Sequence, residues 1–532
     1  MADAPPQADE KATAVTGTIT PSDDDDVALA IVGEVSQDID PVVEARVIRK
    51  IDLFLIPAMI AGYGMVYYDK VPLSLSAPPP PRRHRLTRSQ AILGSAALFG
   101  MTTDLALSVT NTSTSPPTVD TTRLSWATSI FYFGMLAGLY PMTFALQRFP
   151  LSKVLGPVVL LWALTCMLTA AVTSYRGLYA QRFFLGFVES AIPTAFMTLI
   201  TGFYTQQEQS LRQSWWFSST GLFTIIGGAL NYGFAQITSG ALRRWQYIYL
   251  LAGCLTVLFA IWCFFLPPSP ATAWFLTPAE RIVAVERLRR GAAGVRCAKF
   301  KPAQVREALL DAKTWLIFVM MASAYTTNGA VSGFGPLIVK TFGWSTLHSI
   351  LFQFPLGALC FVAILLTGWV ASRVRNARIV MLVLCCLPVI AGCAVIWRAP
   401  WTYRAAAPVV GYSITGTFGA VVCLVISLGM GNVAGQTKKS FMAATIFVAY
   451  CVGNIVGPQL IKSETKERHY PMLWLGLIIS YCITIVCSGL LYFVLWRENR
   501  RRDALDLDVV EGDKLAFKDL TDGENLHFRY ML

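Results

Sequence analysis

The chain has 532 residues, of which 54% are hydrophobic and only 14% charged, with a mean hydropathy of +0.51. Soluble proteins carry about 25% charged residues, and apolar runs long enough to cross a bilayer recur along most of this sequence. The net charge of +12 lies in short basic segments between those runs, a positive-inside pattern that excludes a nucleic-acid partner and points to a polytopic helical membrane protein.

Residues 1–45 are polar and acidic, with Asp23-Asp24-Asp25-Asp26, and read as a disordered cytosolic tail. They lack the basic, apolar, small-residue order of a cleaved signal peptide. Arg46, Arg49 and Lys50 precede the first apolar run, Ile51–Tyr68, which ends in Asp69-Lys70. Residues 71–90 then read VPLSLSAPPPPRRHRLTRSQ, after which Ala91–Gly100 resumes as if the helix had never stopped. Polyproline cannot continue a helix, and its backbone would be unsatisfied in lipid. Without this segment, Ile51 to Met101 is one continuous span. A Val codon begins GT, a Gln codon can end in AG, and Leu86-Thr87 can encode a branch-like sequence. The segment therefore reads as an unspliced intron; the alternative is a genuine extracytoplasmic loop.

A polar stretch with a glycosylation sequon, Asn111-Thr112-Ser113, follows on the outer side. Further spans are expected at 124–145, 153–173, 177–203, 213–235 and 245–267, completing a half over 46–267. Trp215-Trp216, at the start of the fifth, read as interfacial aromatics, and Gly227-Gly228 as a packing site. The central segment 268–313 is a cytosolic loop with nine Lys/Arg. A second half over 314–496 has spans at 314–340, 346–371, 377–397, 405–430, 440–460 and 472–496. A polar cytosolic tail, 497–532, closes the chain. Basic residues at 46–50, 148–153, 373–378, 438–439 and 497–502 put both termini in the cytosol. The expected fold is an all-α membrane protein of twelve transmembrane helices in two six-helix halves around a midplane site.

Of the 12 cysteines, only Cys297 lies in a polar loop, and no metal-like CxxC spacing occurs. They read as small apolar fillers. The absence of a Walker-type phosphate loop argues against direct ATP drive, and no nucleophile–base or metal set marks an enzyme. No cofactor is expected.

The most informative residues are the ionisable ones inside spans. Arg182 and Glu189 lie seven residues apart in the fourth, on one helix face and about 10 Å apart along its axis. Asp69 and Lys70 lie at the end of the first. Charges at such depth persist only facing a bundle interior or a wet cavity, so they mark a functional site; the alternative for Arg182 and Glu189 is a structural pair locking helices together, and for Asp69-Lys70 an ordinary helix end. Glu189 and Asp69 are the deep carboxylates and so the proton-coupling candidates. Lys70 and Arg182 can receive a substrate carboxylate, Arg by a bidentate fork. Burial raises a carboxyl pKa and nearby cations lower it. A substrate anion occupying the cations would therefore favour protonation of Glu189 or Asp69, a route to obligatory proton–anion symport. The second half offers neutral groups: Asn328, Gln353, Tyr412, Thr415, Tyr450 and Asn454. Each can orient an amide or ureido group or simply bond helix to helix.

Several segments in order carry a resemblance: Ser129–Gly134 with Leu139-Tyr140-Pro141, Gln147–Pro150, Phe265–Pro270 with Phe275-Leu276-Thr277, Ala308–Trp315, Asn432–Lys439 and Tyr450–Gln459. Over about Lys50 to Arg502 the chain resembles the major facilitator superfamily, in its anion:cation symporter branch and the fungal allantoate permease group. It departs from that pattern at Gln147-Arg148 and Pro150, where an acidic–basic pair and glycine are usual, and at Gln436, where histidine is usual. The resemblance implies a carboxylate with an adjacent cation in the first helix and an Arg-x6-Glu in the fourth, falling on Asp69, Lys70, Arg182 and Glu189. It implies a monomeric permease in a fungal plasma membrane. Its partners would be the lipid bilayer, protons and a small organic anion, allantoate- or ureidosuccinate-like. Nicotinate-like vitamins or short peptides are the alternative solutes. A non-transporting nutrient receptor is the alternative function; it would carry a long structured cytosolic extension. Drug export by antiport is disfavoured because Gly221–Gly228 lacks the Gly-Pro motif expected of exporters.

Overall fold

The structure is a computed structural model. It describes residues 40–70, 101–105, 109–111, 118–120, 122–235, 242–290, 300–332, 351–374, 376–401, 405–461, 469–505 and 519–532, with a few single positions at 107 and between 335 and 349.

The described elements are almost all helical. The first half holds α1 (Pro41–Lys70), α2 (Thr122–Arg148), α3 (Leu151–Leu168), α4 (Tyr175–Glu189), α5 (Ala191–Phe203), α6 (Gln206–Phe217), α7 (Ser219–Ala235) and α8 (Arg244–Cys263). Next come α9 (Pro278–Arg290) and α10 (Pro302–Leu310). The second half holds α11 (Ala312–Thr327), α12 (Gln353–Arg373), α13 (Arg378–Arg398), α14 (Ala406–Ile414), α15 (Phe418–Gly431), α16 (Gln436–Gln459) and α17 (Pro471–Asp503). A two-stranded antiparallel hairpin, β1 (Val109–Asn111) with β2 (Thr118–Asp120), pairs Asn111 of the sequon with Thr118.

Among the described residues, ten helices are long and apolar enough to cross a bilayer, or eleven when a pair bent by 68° at Asp311 counts as one span. Twelve spans is a finer count than helix length and apolarity support. The bend has a local cause: the Asp311 side chain accepts from the Lys313 amide at 3.0 Å and caps α11, so a new helix starts there. The expected span at 213–235 is instead α6 and α7, meeting at Ser218. The interrupted segment 71–90 lies outside the described residues; α1 ends at Lys70.

Within the first half α2 packs along α4, α3 along α8, and α1 against α6, α7 and α8; within the second, α11 packs along α16 and α17, and α13 along α17. Two seams join the halves, α2 with α5 against α16, and α6 with α7 against α12, where α6 also meets α15. Glycine makes the closest approaches possible. A Cβ on Gly221 would stand 2.5 Å from the Gly357 carbonyl oxygen, and one on Gly357 2.8 Å from that of Gly221. Gly228 likewise makes room for Phe354, in keeping with the packing role expected of Gly227-Gly228. Large apolar side chains such as Leu475, Ile479, Ile483, Val486 and Leu490 along α17 remain exposed, as a lipid-facing stripe requires.

Three expectations change. Trp216 is not interfacial: it is fully buried, edge-on to Tyr63 and Phe196. The central segment is not a bare loop, because α9 and α10 pack beneath the bundle. Arg287 of α9 is buried, bonded to the Phe203 carbonyl and paired with Glu208, and Lys50 of α1 pairs with Glu280 at 2.6 Å. The segment 497–532 is not a free polar tail, since α17 runs on to Asp503 and residues 519–532 fold back against the second half.

Candidate functional site

Glu189 lies midway along the 29-residue span Tyr175–Phe203 and is wholly buried. The helix is interrupted at Ser190, immediately after it. Pro193 is the cause: it has no N–H to donate to the carbonyl four residues back, which is that of Glu189. A buried carboxylate beside an interruption of the helix at mid-span is a construction found in intramembrane binding sites.

Around this break the two halves meet through tyrosines. Tyr63 and Tyr67 come from α1, Tyr132 from α2, Tyr325 from α11 and Tyr450 from α16. Tyr450 packs edge-on against Tyr325 at 4.5 Å and Tyr132 at 5.7 Å between ring centroids. Glu189 lies within electrostatic reach of Tyr450, and Tyr63, Tyr67 and Tyr132 within reach of Tyr325. One layer higher, the Asn328 amide donates to Asn454 Oδ1 at 2.7 Å, Asn454 donates to the Tyr450 carbonyl at 2.8 Å, and the Tyr67 hydroxyl stands 3.4 Å from Asn328 Oδ1. Asn328 opens a π-helical turn, Asn328–Ser332, at the end of α11. Gly329 in that turn lets the Asn454 backbone approach: an added Cβ would meet its Cα at 2.9 Å.

Arg182 is buried too, two turns from Glu189. Its Nη2 donates to the Tyr249 hydroxyl of α8 at 2.6 Å, its guanidinium lies over the Tyr249 ring, and its Nε makes no hydrogen bond among the described residues. It therefore keeps a donor in reserve inside the bundle.

The expected site residues divide. Glu189, Asn328, Tyr450 and Asn454 converge. Tyr412 stands at the edge of the group, its buried hydroxyl within reach of Tyr67 and against Gly335. Thr415 is committed elsewhere, donating to the Tyr412 carbonyl at 2.6 Å. Gln353 is half-exposed in the first turn of α12 and makes no hydrogen bond to the cluster among the described residues. The side chains of Asp69 and Lys70 lie outside the described residues. Sequence reasoning missed Tyr63, Tyr67, Tyr132, Tyr249 and Tyr325. Their signal was available: tyrosine carries a hydroxyl that needs a partner when buried in an apolar span.

Toward the face carrying α9 and α10, a small pocket lies between the halves, lined by Thr143, Gln147, Thr194, Thr198, Thr201 and Lys439 among others. The α5 threonines bond back to carbonyls of their own helix, so they present a hydroxyl-lined wall without unsatisfied groups.

The sequence model of the Major Facilitator Superfamily matches residues 89–458. An uncharacterized transporter of Schizosaccharomyces pombe is 32% identical over 93% of this chain and 91% of its own length. The allantoate permease of Saccharomyces cerevisiae is 29% identical over 96% and 91%, and a thiamine pathway transporter of the same yeast 28% identical over 91% and 86%. Among solved structures, a proton:xylose symporter superposes with a TM-score of 0.62 at 12% identity, over 83% of this chain and 95% of the other, a likeness of fold alone.

Proposed function

The chain belongs to the Major Facilitator Superfamily, and from that premise we propose that it takes up a small organic carboxylate together with protons by alternating access. As a member of that family it is a multi-pass membrane carrier of small molecules and not an enzyme. The observation that carries the finer reading is Glu189: a wholly buried carboxylate at a helix break, beside a tyrosine and asparagine cluster that joins the two halves. A proton on Glu189 removes a charge that is costly in low dielectric. Arg182, with its unused Nε, is the fixed cation that an entering carboxylate would meet. Asn328 and Asn454 offer amide groups for a ureido or amide portion. The similarity to an allantoate permease supports allantoate as the first solute to try, at a fungal plasma membrane with both termini cytosolic.

A second reading, uptake of a ring-containing vitamin, is favoured by the aromatic cluster, whose π-faces suit a flat heterocycle. One experiment separates the two. Uptake of radiolabelled allantoate is measured at pH 5 and pH 7 in yeast lacking endogenous transport, with unlabelled nicotinate and thiamine as competitors. Accumulation higher at pH 5 and lost in Glu189→Gln supports the carboxylate–proton reading. Full surface expression without allantoate uptake, but with uptake of a vitamin, overturns it in favour of the second.

A further inference from the structure

Residues 519–532 form no helix or strand, yet Thr521, Asp522, Asn525, Phe528, Tyr530 and Leu532 are all buried. What buries them is a prepared surface on the second half. Asp522 is the centre. Its carboxylate pairs with Lys313 of α11 and with Lys438 of α16, the latter at 2.8 Å, and accepts from the Ala434 amide and the Tyr530 hydroxyl. Arg502 of α17 is buried and spends its guanidinium on the segment's backbone, donating to the carbonyls of Asp522, Asn525 and Phe528 at 2.8–3.1 Å.

Two asparagines read the segment as a neighbouring strand would. Asn432 exchanges a pair of hydrogen bonds with the backbone of Met531, and Asn499 does the same with Tyr530. The Arg378 amide at the start of α13 donates to the Leu532 carbonyl. One short segment thus ties together α11, α13, α16, α17 and the turn before α16.

It also reaches the seam between the halves. The first amides of α16 have no partners within the helix. Asp519 accepts from the Gln436 amide at 2.6 Å, while Gln304 of α10 accepts from those of Thr437 and Lys438 and donates to the Asp519 carbonyl. Thr437, held in this way, receives the Gln147 side chain from the end of α2 at 3.1 Å. That is the rung of the α2–α16 seam at this face, below the Tyr140–Phe441 contact.

We propose that residues 519–532 are a latch: docked, they hold the end of α16 against α2 and keep this face closed, and their release permits it to open. The three buried cations, Lys313, Lys438 and Arg502, are the receptor for the segment, and Asp522 is its key. The device acts on the access equilibrium and is independent of which solute is carried.

The test uses the full chain in nanodiscs, where both faces meet solvent. Thr198→Cys reports on the pocket below the seam, and Ala330→Cys, in the turn beside Asn328, on the opposite side. Labelling by a bulky maleimide is followed at each position by mass spectrometry, with the full chain, a chain ending at residue 518, and Asp522→Asn. The latch predicts labelling at 198 faster by at least about fivefold on removal of the segment, no faster labelling at 330, and restored protection on adding a peptide of residues 519–532. Unchanged labelling at 198 overturns it. So does an equal rise at both positions, which would mean that the segment merely supports the fold. Should the shortened chain not fold, Asp522→Asn carries the same readout against the same two outcomes.

Discussion

At the scale of single residues, three groups govern the behaviour expected of this carrier. Glu189 is wholly buried, so Glu189→Gln keeps its shape and removes its proton. The variant is expected to reach the membrane, to lose accumulation by at least about a hundredfold, and to lose the difference between pH 5 and pH 7; exchange of labelled for unlabelled solute across equal pH is the checking measurement. Tyr249 holds the Arg182 guanidinium. Tyr249→Phe removes a bond to a buried charge, a loss of about 1–3 kcal/mol, expected as a lower thermal midpoint and a raised KM with kcat less affected. Asp522 shows its electrostatics directly. Burial alone would raise its pKa, but Lys313 and Lys438 outweigh that and hold it down from 3.8 to about 2. A depressed carboxyl contributes stability above its unfolded pKa and loses it as pH falls toward the folded value. The docked segment is therefore expected to be indifferent to pH between 5 and 8 and to loosen only below about pH 4. The charge is worth roughly 2 kcal/mol. Asp522→Asn should expose the 519–532 segment to protease at neutral pH, whereas the unaltered chain stays protected.

Among the elements, the interrupted fourth span is the one to test. Pro193 deprives the Glu189 carbonyl of its usual donor, and α4 ends there. Pro193→Ala supplies the missing N–H. The hydrogen bond to the Glu189 carbonyl is expected to form and the protein to become more heat-stable, while turnover falls because the helix beside Glu189 stiffens; paired thermal-shift and uptake-rate measurements decide. The α2–α4 crossing depends on a different property. A Cβ on Gly186 would stand 2.0 Å from the Phe131 carbonyl oxygen, and one on Gly134 2.0 Å from that of Phe183. Those neighbours are backbone and cannot rotate away. The crossing holds the Glu189-bearing helix against α2 and its Tyr132, so its closeness serves the site as well as the packing.

On the scale of the whole molecule, the halves touch along two seams, and the candidate site lies where the α2–α16 seam passes mid-membrane through Tyr132 and Tyr450. Alternating access requires this seam to part at one face at a time, which gives the latch its place. The segment 71–90 bears on the same architecture. The family match begins at residue 89, just at its end. A chain lacking 71–90 is expected to be expressed and to transport at least as well as the full chain. Clearly better uptake by the full chain would make the segment a working loop and refute the intron reading.

The long apolar runs, their order, and the presence of Arg182 and Glu189 inside one of them are properties that the sequence determines by itself. A bilayer selects for long apolar runs, and a charge inside one cannot be there by accident of composition. What the chain order does not carry is convergence. Tyr63, Tyr67, Tyr132 and Tyr325 each read as one more aromatic in an apolar run, and only the packing of three separate helices makes them a group beside Tyr450. Gln353 and Thr415 show the converse: each is a polar residue in an expected span, yet one is left at a helix end and the other bonded to its own helix. Trp216 and the 519–532 segment make the same point. The segment is polar and locally formless, and everything that orders it, from Lys313 to Arg502, is supplied by helices far away in the chain. Local pattern decides which residues enter the membrane; only tertiary contact decides which of them meet.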